Sequence, residues 1–149
     1  MTEIHYSTDP PAAEQFAALF APLGWFPGMD VGQFHRSLAH SWYCVSAYDG
    51  EQLVGFGRAI SDGVIHALLT EVAVAATHRH RGIGRAIMAR LIERCHKADI
   101  RQVQLFAADG KTPFYQQLGF EPRPAERPGM EYRHREPASS SQGGACPGT

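Results

Sequence analysis

The stretch that most constrains the fold is residues 72–91, VAVAATHRHRGIGRAIMARL. It begins with small and branched apolar residues, as a buried strand does, passes through a cluster of arginines and histidines, and regains apolar residues at helical spacing after Gly82. A strand that turns directly into a helix leaves the first backbone N–H groups of that helix without partners and pointing at one spot. Such a spot binds anions, and Arg79, Arg81 and Arg85 add positive charge around it. The stretch therefore predicts a strand, a diphosphate-binding turn and a helix.

The residues before this stretch predict two helices and three strands. Asp9 is a candidate N-cap, with Pro10 at the first helical position and Gly24 as the stop of the first helix. Asp30 is the candidate cap of a second helix over VGQFHRSLAHS. From Trp42 the apolar period changes to two, and YCVSAY, QLVGFGRAI and VIHALLTEVAV are separated by glycine-containing turns. We expect these three segments to form an antiparallel meander.

The residues after the turn predict a helix, a strand and a second helix. Residues 82–98 carry an apolar stripe with charged residues outside it, and residues 102–108, QVQLFAA, follow as a strand. A short helix comes next, with Thr112 as its N-cap and Gly119 at its C-terminal end. Residues 120–134 are expected to supply one or two final strands. The order of elements predicts a mixed α/β domain.

Composition limits the number of domains and the classes of partner. The chain has 149 residues, of which 44% are hydrophobic; this suits one domain over residues 1–136, whereas residues 137–149 have little to bury and are predicted to be disordered. A net charge of -1 argues against a nucleic-acid binder. No segment approaches the roughly 18 apolar residues of a membrane span, and no leader is recognised, so we expect a cytoplasmic protein without membrane contact. Three scattered cysteines, Cys44, Cys95 and Cys146, predict neither a disulfide framework nor a zinc site.

Three phosphate-binding motifs compete for the turn. The nucleoside-triphosphate loop requires Gly-Lys-Ser/Thr, whereas Gly84 is followed by Arg85 and Ala86, which excludes it. The dinucleotide fingerprint requires a third glycine where Ile87 stands and repeated parallel strand–helix units, which the meander does not supply. The third motif is Arg/Gln-x-x-Gly-x-Gly/Ala after a strand, and RHRGIG at residues 79–84 matches it.

With this motif the chain resembles the GCN5-related N-acetyltransferase (GNAT) superfamily, whose members use the loop to hold the pyrophosphate of coenzyme A. The resemblance extends over the order of elements from about Ala12 to His134, and FYQQLGF at residues 114–120 is similar to the superfamily's F-Y-x-x-L-G-F segment. It implies a mostly antiparallel central sheet, flanked by helices and splayed at the coenzyme A site, with acetyl-CoA as co-substrate and no metal. The residues that it implies for coenzyme binding are Val72, Ala73, Val74, Arg79, His80, Arg81, Gly82, Ile83, Gly84, Arg85 and Phe114.

A closer likeness concerns the segments LVGFGRAISDG, TEVAV and LFAADGKTPFYQQLGFEPRP. They are similar to the branch that contains the plant and cyanobacterial serotonin N-acetyltransferases. That branch usually has Asp at the position of Glu71, so this chain keeps the carboxylate and adds a methylene.

The resemblance implies direct attack of an amine on the thioester in a ternary complex. Glu71 is the candidate base, a backbone N–H near Val74 is the candidate donor to the carbonyl oxygen, and Tyr115 matches the tyrosine that protonates the thiolate. The alternatives are that Glu71 faces solvent or acts through water, and that Tyr115 is only a packing residue.

The acceptor is less constrained by the sequence. Trp25, Phe26, Phe34, Trp42 and the 121–130 loop offer surfaces for a small amine of arylalkylamine type, or these aromatics are core or dimer contacts. His66 is a possible pocket residue or a strand histidine, while His78 and His80 lack further ligands for a metal. Protein or peptide acetylation, and a non-catalytic acetyl-CoA sensor, stay open as alternatives, as does a homodimer.

Overall fold

A computed structural model describes residues 3–133, which form a five-stranded sheet with helices on both faces. The strands are β1 (Ile4–Ser7), β2 (Tyr43–Asp49), β3 (Gln52–Ser61), β4 (His66–Val74) and β5 (Gln102–Leu105). The α-helices are α1 (Ala13–Phe20), α2 (Val31–Ala39), α3 (Ile83–Lys97) and α4 (Thr112–Gln117), and short 3-10 turns occupy Ala21–Leu23 and Ala76–His78. The sheet order is β1-β2-β3-β4-β5, in which only the β4–β5 pair is parallel. The predicted mixed α/β domain with a mostly antiparallel sheet is confirmed.

Each face of the sheet buries a different set of helices. On one face, the apolar stripe of α3, including Ile87, Met88 and Leu91, is fully buried against the strands. On the other face, α1 and α2 bury an aromatic cluster in which Phe16 meets Phe56 of β3 edge-to-face at 5.2 Å between ring centroids. Since edge-to-face pairs add to the free energy gained by burial, this cluster holds α1 and α2 firmly against the strands.

The predicted helix ends are partly confirmed. Asp30 caps α2 in a capping box, in which its carboxylate accepts the Gln33 N–H at 2.8 Å and Gln33 Oε1 accepts the Asp30 N–H at 2.9 Å. Asp9 is not the cap of α1, which begins only at Ala13 and has no side-chain cap. The reason is that Pro10 precedes another proline, a position that disfavours helical backbone, so the chain stays extended for longer.

Three further predictions are corrected at the later elements. Lys111 occupies the N-cap position of α4, so Thr112 is already its first helical residue and caps nothing. β5 ends at Leu105, three residues before the predicted end at Ala108. Residues 120–133 contain no strand, and the tail predicted over residues 137–149 lies outside the described residues. β1 was not expected, because four residues with two apolar side chains give too weak a pattern.

A β-bulge in β4 changes which of its side chains face α3. Arg58 of β3 lies opposite Thr70, but Phe56 lies opposite Ala73, so Gly57 alone faces two residues, Glu71 and Val72. Glu71 has a φ of +49°. Before the bulge Leu69 packs in the core on the α3 side, and after it Val72 does, three positions later instead of two or four.

The gap that separates β4 from β5 begins at this bulge. β5 pairs with β4 only from His66 to Leu69, and β4 continues to Val74 after β5 has ended at Leu105. The last five residues of β4 therefore pair with β3 alone and leave a gap on their other side. Within residues 3–133, no helix combines the length and apolar character needed to span a bilayer.

Candidate active site

The end of β4 presents its backbone to the gap. The N–H of Ala75 donates to Val54 O on β3 at 2.8 Å. Because successive residues of a strand direct their backbone groups to opposite sides, the N–H and C=O of Val74 point away from β3, into the gap. The Arg79 side chain confirms this direction, since its Nε donates to Val74 O at 3.3 Å. The gap thus has a backbone donor and acceptor along one wall.

The turn into α3 supplies a second set of backbone donors. Gly82 occupies the N-cap position with a φ of +79° and no side chain caps the helix. The first helical hydrogen bond joins Ala86 N to Gly82 O at 3.0 Å, so the N–H groups of Ile83, Gly84 and Arg85 have no carbonyl of α3 to bind. The first turn carries no acidic residue. Free N–H groups without a neighbouring carboxylate favour an anion at the start of α3, and the diphosphate site that the sequence predicts there stays a prediction.

Both sets of backbone groups face one open cavity of about 600 Å³. Its lining combines β4, the basic turn, the start of α3, and α4. Of the predicted site residues, it gathers Val72, Ala73, Val74, Arg79, His80, Gly82, Ile83, Gly84, Arg85, Phe114 and Tyr115. Arg81 is exposed and lies outside the lining, and Glu71 also lies outside it.

The cavity has lining residues that the sequence analysis did not single out. Leu23 reaches it from the turn after α1, and Ala108 and Lys111 reach it from the loop between β5 and α4. Lys111 had a usable signal, because it stands in a strand-to-helix turn beside glycine, as Arg81 does. Leu23 had none, since only the tertiary packing of α1 brings it to β4.

Tyr115 is held rigidly at the edge of the cavity. It lies in α4, is 4% exposed, and meets Phe114 and Phe120 edge-to-face at 5.0 and 6.2 Å between ring centroids. α4 is tied to α3 by Arg85, whose Nη2 donates to Gln117 Oε1 at 2.9 Å. The Tyr115 ring is therefore positioned by packing against Phe114 and Phe120, and the helix that carries it is joined to α3.

Glu71 lies at the bulge and forms an ion pair that sequence analysis missed. Its carboxylate accepts Arg58 Nε at 2.9 Å and Arg58 Nη2 at 3.3 Å, and both side chains are largely buried. Arg58 was detectable as the one charged residue within the apolar strand QLVGFGRAI. The pairing with Glu71 was not detectable, because it depends on the register between β3 and β4.

The structure shows the surroundings of His78 and His66, two of the histidines considered in the sequence. His78 is buried, and its ring nitrogens lie 2.8 Å from Asp49 Oδ2 and 2.8 Å from Thr77 Oγ1, which anchors the start of the basic turn to the end of β2. His66 is exposed at the start of β4, away from the cavity. Among residues 3–133, no group of three His, Cys, Asp or Glu side chains could hold a metal ion.

The structure separates the aromatic residues that were grouped as acceptor surface. Trp25 lines the main cavity, whereas Phe26 and Phe34 line a different cavity of about 340 Å³ between α1 and α2. Trp42 lies on the α3 side of the sheet, with the Arg94 guanidinium 4.3 Å above its ring. Met130, in the 121–130 loop, is 87% exposed. Of these aromatic residues, Trp25 is the one that lines the main cavity.

The described cysteines do not offer a nucleophile. Burial raises the pKa of Cys44 to about 11, and its Sγ donates to Thr8 O at 3.4 Å. Burial also raises the pKa of Cys95, which lies on the buried face of α3. Both thiols are protonated at neutral pH and lie outside the cavity lining, so an acetyl-cysteine intermediate has no support at either residue.

Comparison with known proteins agrees with this geometry. A family model described as an acetyltransferase (GNAT) domain matches residues 40–122, more than half of the chain. Serotonin N-acetyltransferase 2, chloroplastic, from Oryza sativa subsp. japonica is 34% identical over 123 residues, which cover 79% of this chain and 61% of that protein. Histone acetyltransferase TAP1 from Glycine max is 29% identical over 124 residues, covering 76% of this chain and 53% of that protein.

Solved structures give the same result for the fold. A GNAT-family protein from Xanthomonas campestris pv. campestris superposes with a TM-score of 0.76 at 26% identity, over 90% of this chain and 95% of the other. The chain spans 61% and 53% of the length of the two curated relatives, whereas it spans nearly all of this bacterial protein.

Proposed function

This chain belongs to the GCN5-related N-acetyltransferase (GNAT) family, and from this we propose that it transfers the acetyl group of acetyl-CoA to a primary amine of a small molecule. The observation that carries the proposal is one cavity that joins three features: the uncapped start of α3, the backbone of Val74 in the gap, and the buried Tyr115.

Acetyl-CoA, when bound, supplies the thioester that reacts. Its pyrophosphate fits the N–H groups of Ile83, Gly84 and Arg85, where no side chain competes for them. Its pantetheine arm fits the gap beside Val72 to Val74, whose backbone can pair with the amides of the arm as a strand would. Gly84 leaves this passage free of a side chain, and a Cβ there would contact Val74 Cγ2 at 3.7 Å and Phe114 Cζ at 3.9 Å, which are ordinary contact distances.

We propose a reaction that uses groups of the cavity lining and Glu71, which directly precedes the lining residue Val72 in β4. The neutral amine nitrogen attacks the thioester carbon, a C–N bond forms, and the C–S bond breaks with its electron pair going to sulfur. The Val74 N–H would polarise the carbonyl oxygen during attack. Tyr115 would give its proton to the leaving thiolate, and Glu71, directly or through a water, would take the proton that the amine loses.

The choice of a small acceptor is supported by the site near Trp25. The side chains of Leu23 and Trp25 offer an apolar wall beside the end of β4, and among residues 3–133 no carboxylate lies in the cavity lining to attract a polycationic peptide. The names of the two curated relatives point to different acceptors, serotonin and histone, so protein or peptide acetylation is the alternative that the test must include. A cytoplasmic location and a homodimer stay predictions.

The first experiment is release of coenzyme A thiol from acetyl-CoA by the purified chain with a panel of amines. The panel contains arylalkylamines, polyamines, aminoglycosides, amino acids and lysine-containing peptides. We expect release with an arylalkylamine or another small monoamine, and mass spectrometry should show the N-acetylated product. Release only with peptides would overturn the small-molecule acceptor and establish the alternative.

Binding measured beside turnover separates the remaining possibility. If calorimetry shows acetyl-CoA binding and no amine of the panel causes thiol release, the better interpretation is that the chain is a non-catalytic acetyl-CoA sensor. If acetyl-CoA does not bind, the assignment of the cavity to the coenzyme is wrong.

A further inference from the structure

We propose that Arg58 is a positioning residue for acetyl transfer, which acts by holding the bulge of β4 through Glu71. The inference rests on the proposed function, because its consequence is the direction of the backbone groups that would contact acetyl-CoA. Arg58 itself lies outside the cavity lining and is 7% exposed, so it acts through its neighbours rather than on the substrate.

Every N–H group of the Arg58 guanidinium donates a hydrogen bond. Nε donates to Glu71 Oε2 at 2.9 Å, and Nη2 donates to Glu71 Oε1 at 3.3 Å and to Ser37 Oγ at 2.9 Å. Nη1 donates to Ser37 O at 2.8 Å and to Ser41 Oγ at 3.2 Å. A guanidinium has five N–H donors, so each of them has an acceptor here. Such complete satisfaction of a buried charge fixes its position and that of its partners.

One end of this network holds the bulge. Glu71 adopts a φ of +49°, which is unfavourable for a residue with a side chain, and its carboxylate is clamped by two nitrogens of the same arginine. The bulge sets which groups of the next three residues face the gap. Without the clamp, β4 could relax toward a regular strand, and the Val74 N–H would lose its direction toward the thioester carbonyl.

The other end holds the last turn of α2. Ser37 O lies in the last turn of α2 and accepts both the His40 N–H at 3.1 Å and Arg58 Nη1 at 2.8 Å, and Ser41 follows the helix end. Arg58 therefore joins three elements at one point: α2, β3 and the bulge of β4. Displacement of α2 would be transmitted to the bulge through the same side chain.

Stability alone is a weak explanation for this network. Replacing a buried ion pair with apolar residues of similar volume is often neutral or stabilising, whereas removing one partner leaves an uncompensated charge. A double substitution that removes both charges therefore separates folding from positioning. Arg58→Lys complements it, since lysine keeps the charge but has three donors and no planar fork.

The experiment compares the wild-type chain with Arg58→Lys, Arg58→Met/Glu71→Leu and the control Arg94→Met. Arg94 is a half-buried arginine that stacks on Trp42 at 4.3 Å on the opposite face of the sheet. The readouts are the melting temperature, the carbonyl 13C shift of bound [1-13C]acetyl-CoA without acceptor, and kcat and KM with the amine found active. The carbonyl shift reports polarisation by a hydrogen bond and does not depend on Glu71 as a base.

We expect the bound carbonyl resonance of the wild-type chain to lie downfield of free acetyl-CoA and to return toward the free value in both Arg58 variants. Arg58→Lys should lower kcat about tenfold or more, because small misplacements of reacting groups have effects of that size. The double variant should keep the melting temperature while losing the shift, and Arg94→Met should keep shift and kcat.

Two results would overturn the inference: a wild-type carbonyl shift in the double variant, or an unchanged kcat and shift in Arg58→Lys. A wild-type chain that does not bind acetyl-CoA would instead overturn the proposed function, and the inference with it. A wild-type chain that binds acetyl-CoA but turns over no amine still allows the shift to decide the role of Arg58.

Discussion

Replacing Gly57 with alanine tests whether the bulge and α3 are packed as tightly as the structure shows. Gly57 lies on β3 opposite the two bulge residues and faces α3. A Cβ on Gly57 would lie 2.7 Å from Ile87 Cγ2, 3.1 Å from Leu91 Cδ1 and 3.2 Å from Val72 Cγ2. Ile87 and Leu91 are fully buried, so neither can move aside without displacing the helix.

The expected loss follows from these distances. Inserting a methyl group into a well-packed core costs about 1–3 kcal/mol. In a domain of this size each kcal/mol lowers the melting temperature by about 2–4 °C, so we expect Gly57→Ala to lower it by about 2–12 °C. Thermal and urea denaturation followed by circular dichroism would measure this. Gly84→Ala is the matched control, because its methyl group would meet its nearest neighbours at 3.7 and 3.9 Å, which is ordinary contact.

A double variant identifies the cause of the loss. Ile87→Ala removes the Cγ2 atom nearest to the new methyl group and by itself should cost about 2–5 kcal/mol through the cavity that it leaves. In Gly57→Ala/Ile87→Ala the new methyl group occupies part of that cavity, so the combined cost should be smaller than the sum of the two single costs. Strictly additive costs, or a Gly57→Ala variant as stable as the wild type, would refute the packing argument.

Three further predictions concern the site and a buried thiol. Arg81→Glu should weaken acetyl-CoA binding several-fold in calorimetry at low salt and leave kcat of the bound complex unchanged. The reason is that it reverses a charge beside the proposed anion site without changing the cavity lining. Binding equal to that of the wild type would exclude Arg81 from coenzyme recognition. Tyr115→Phe should lower kcat by about 10²-fold with little change in acetyl-CoA affinity, and a loss of affinity at constant kcat would exclude the acid role. The last prediction concerns Cys44 in a Cys146→Ser variant. With a pKa of about 11, Cys44 should be ionised in only about one molecule in 10³ at pH 8, and it should react slowly with a disulfide reagent until the protein is unfolded. Fast labelling of Cys44 in the folded chain would contradict its burial.

The parts of the fold that could be predicted are those whose signal is local. Asp30 and Gln33 form their capping box within four residues, so the start of α2 depends only on residues that are neighbours in the sequence. The same holds for the turn into α3, in which Gly82 adopts the left-handed conformation directly before the helix. The meander was predictable because its strands follow one another with short turns.

The parts that could not be predicted depend on register or on distant packing. The bulge at Glu71 inserts one residue into a strand, and the apolar pattern of β4 is compatible with a regular strand up to the point where Val72 must face α3. The Arg58–Glu71 pair follows from that register and was invisible for the same reason. The prediction of strands over residues 120–134 was wrong for a different reason. A proline-rich loop has few N–H donors for the hydrogen bonds between strands.

This division between local and distant signals also runs through the active site. The proposed coenzyme side is built from one continuous stretch, from the end of β4 through the basic turn into α3, so the sequence alone could predict an anion site there. The proposed acceptor side lies where Leu23 and Trp25, from the turn after α1, meet a strand about fifty residues later in the chain. Loop residues of this kind vary without disturbing the core. A fold of this design can therefore keep one coenzyme and change its amine, and for that reason the acceptor has to be identified by assay rather than by likeness to relatives.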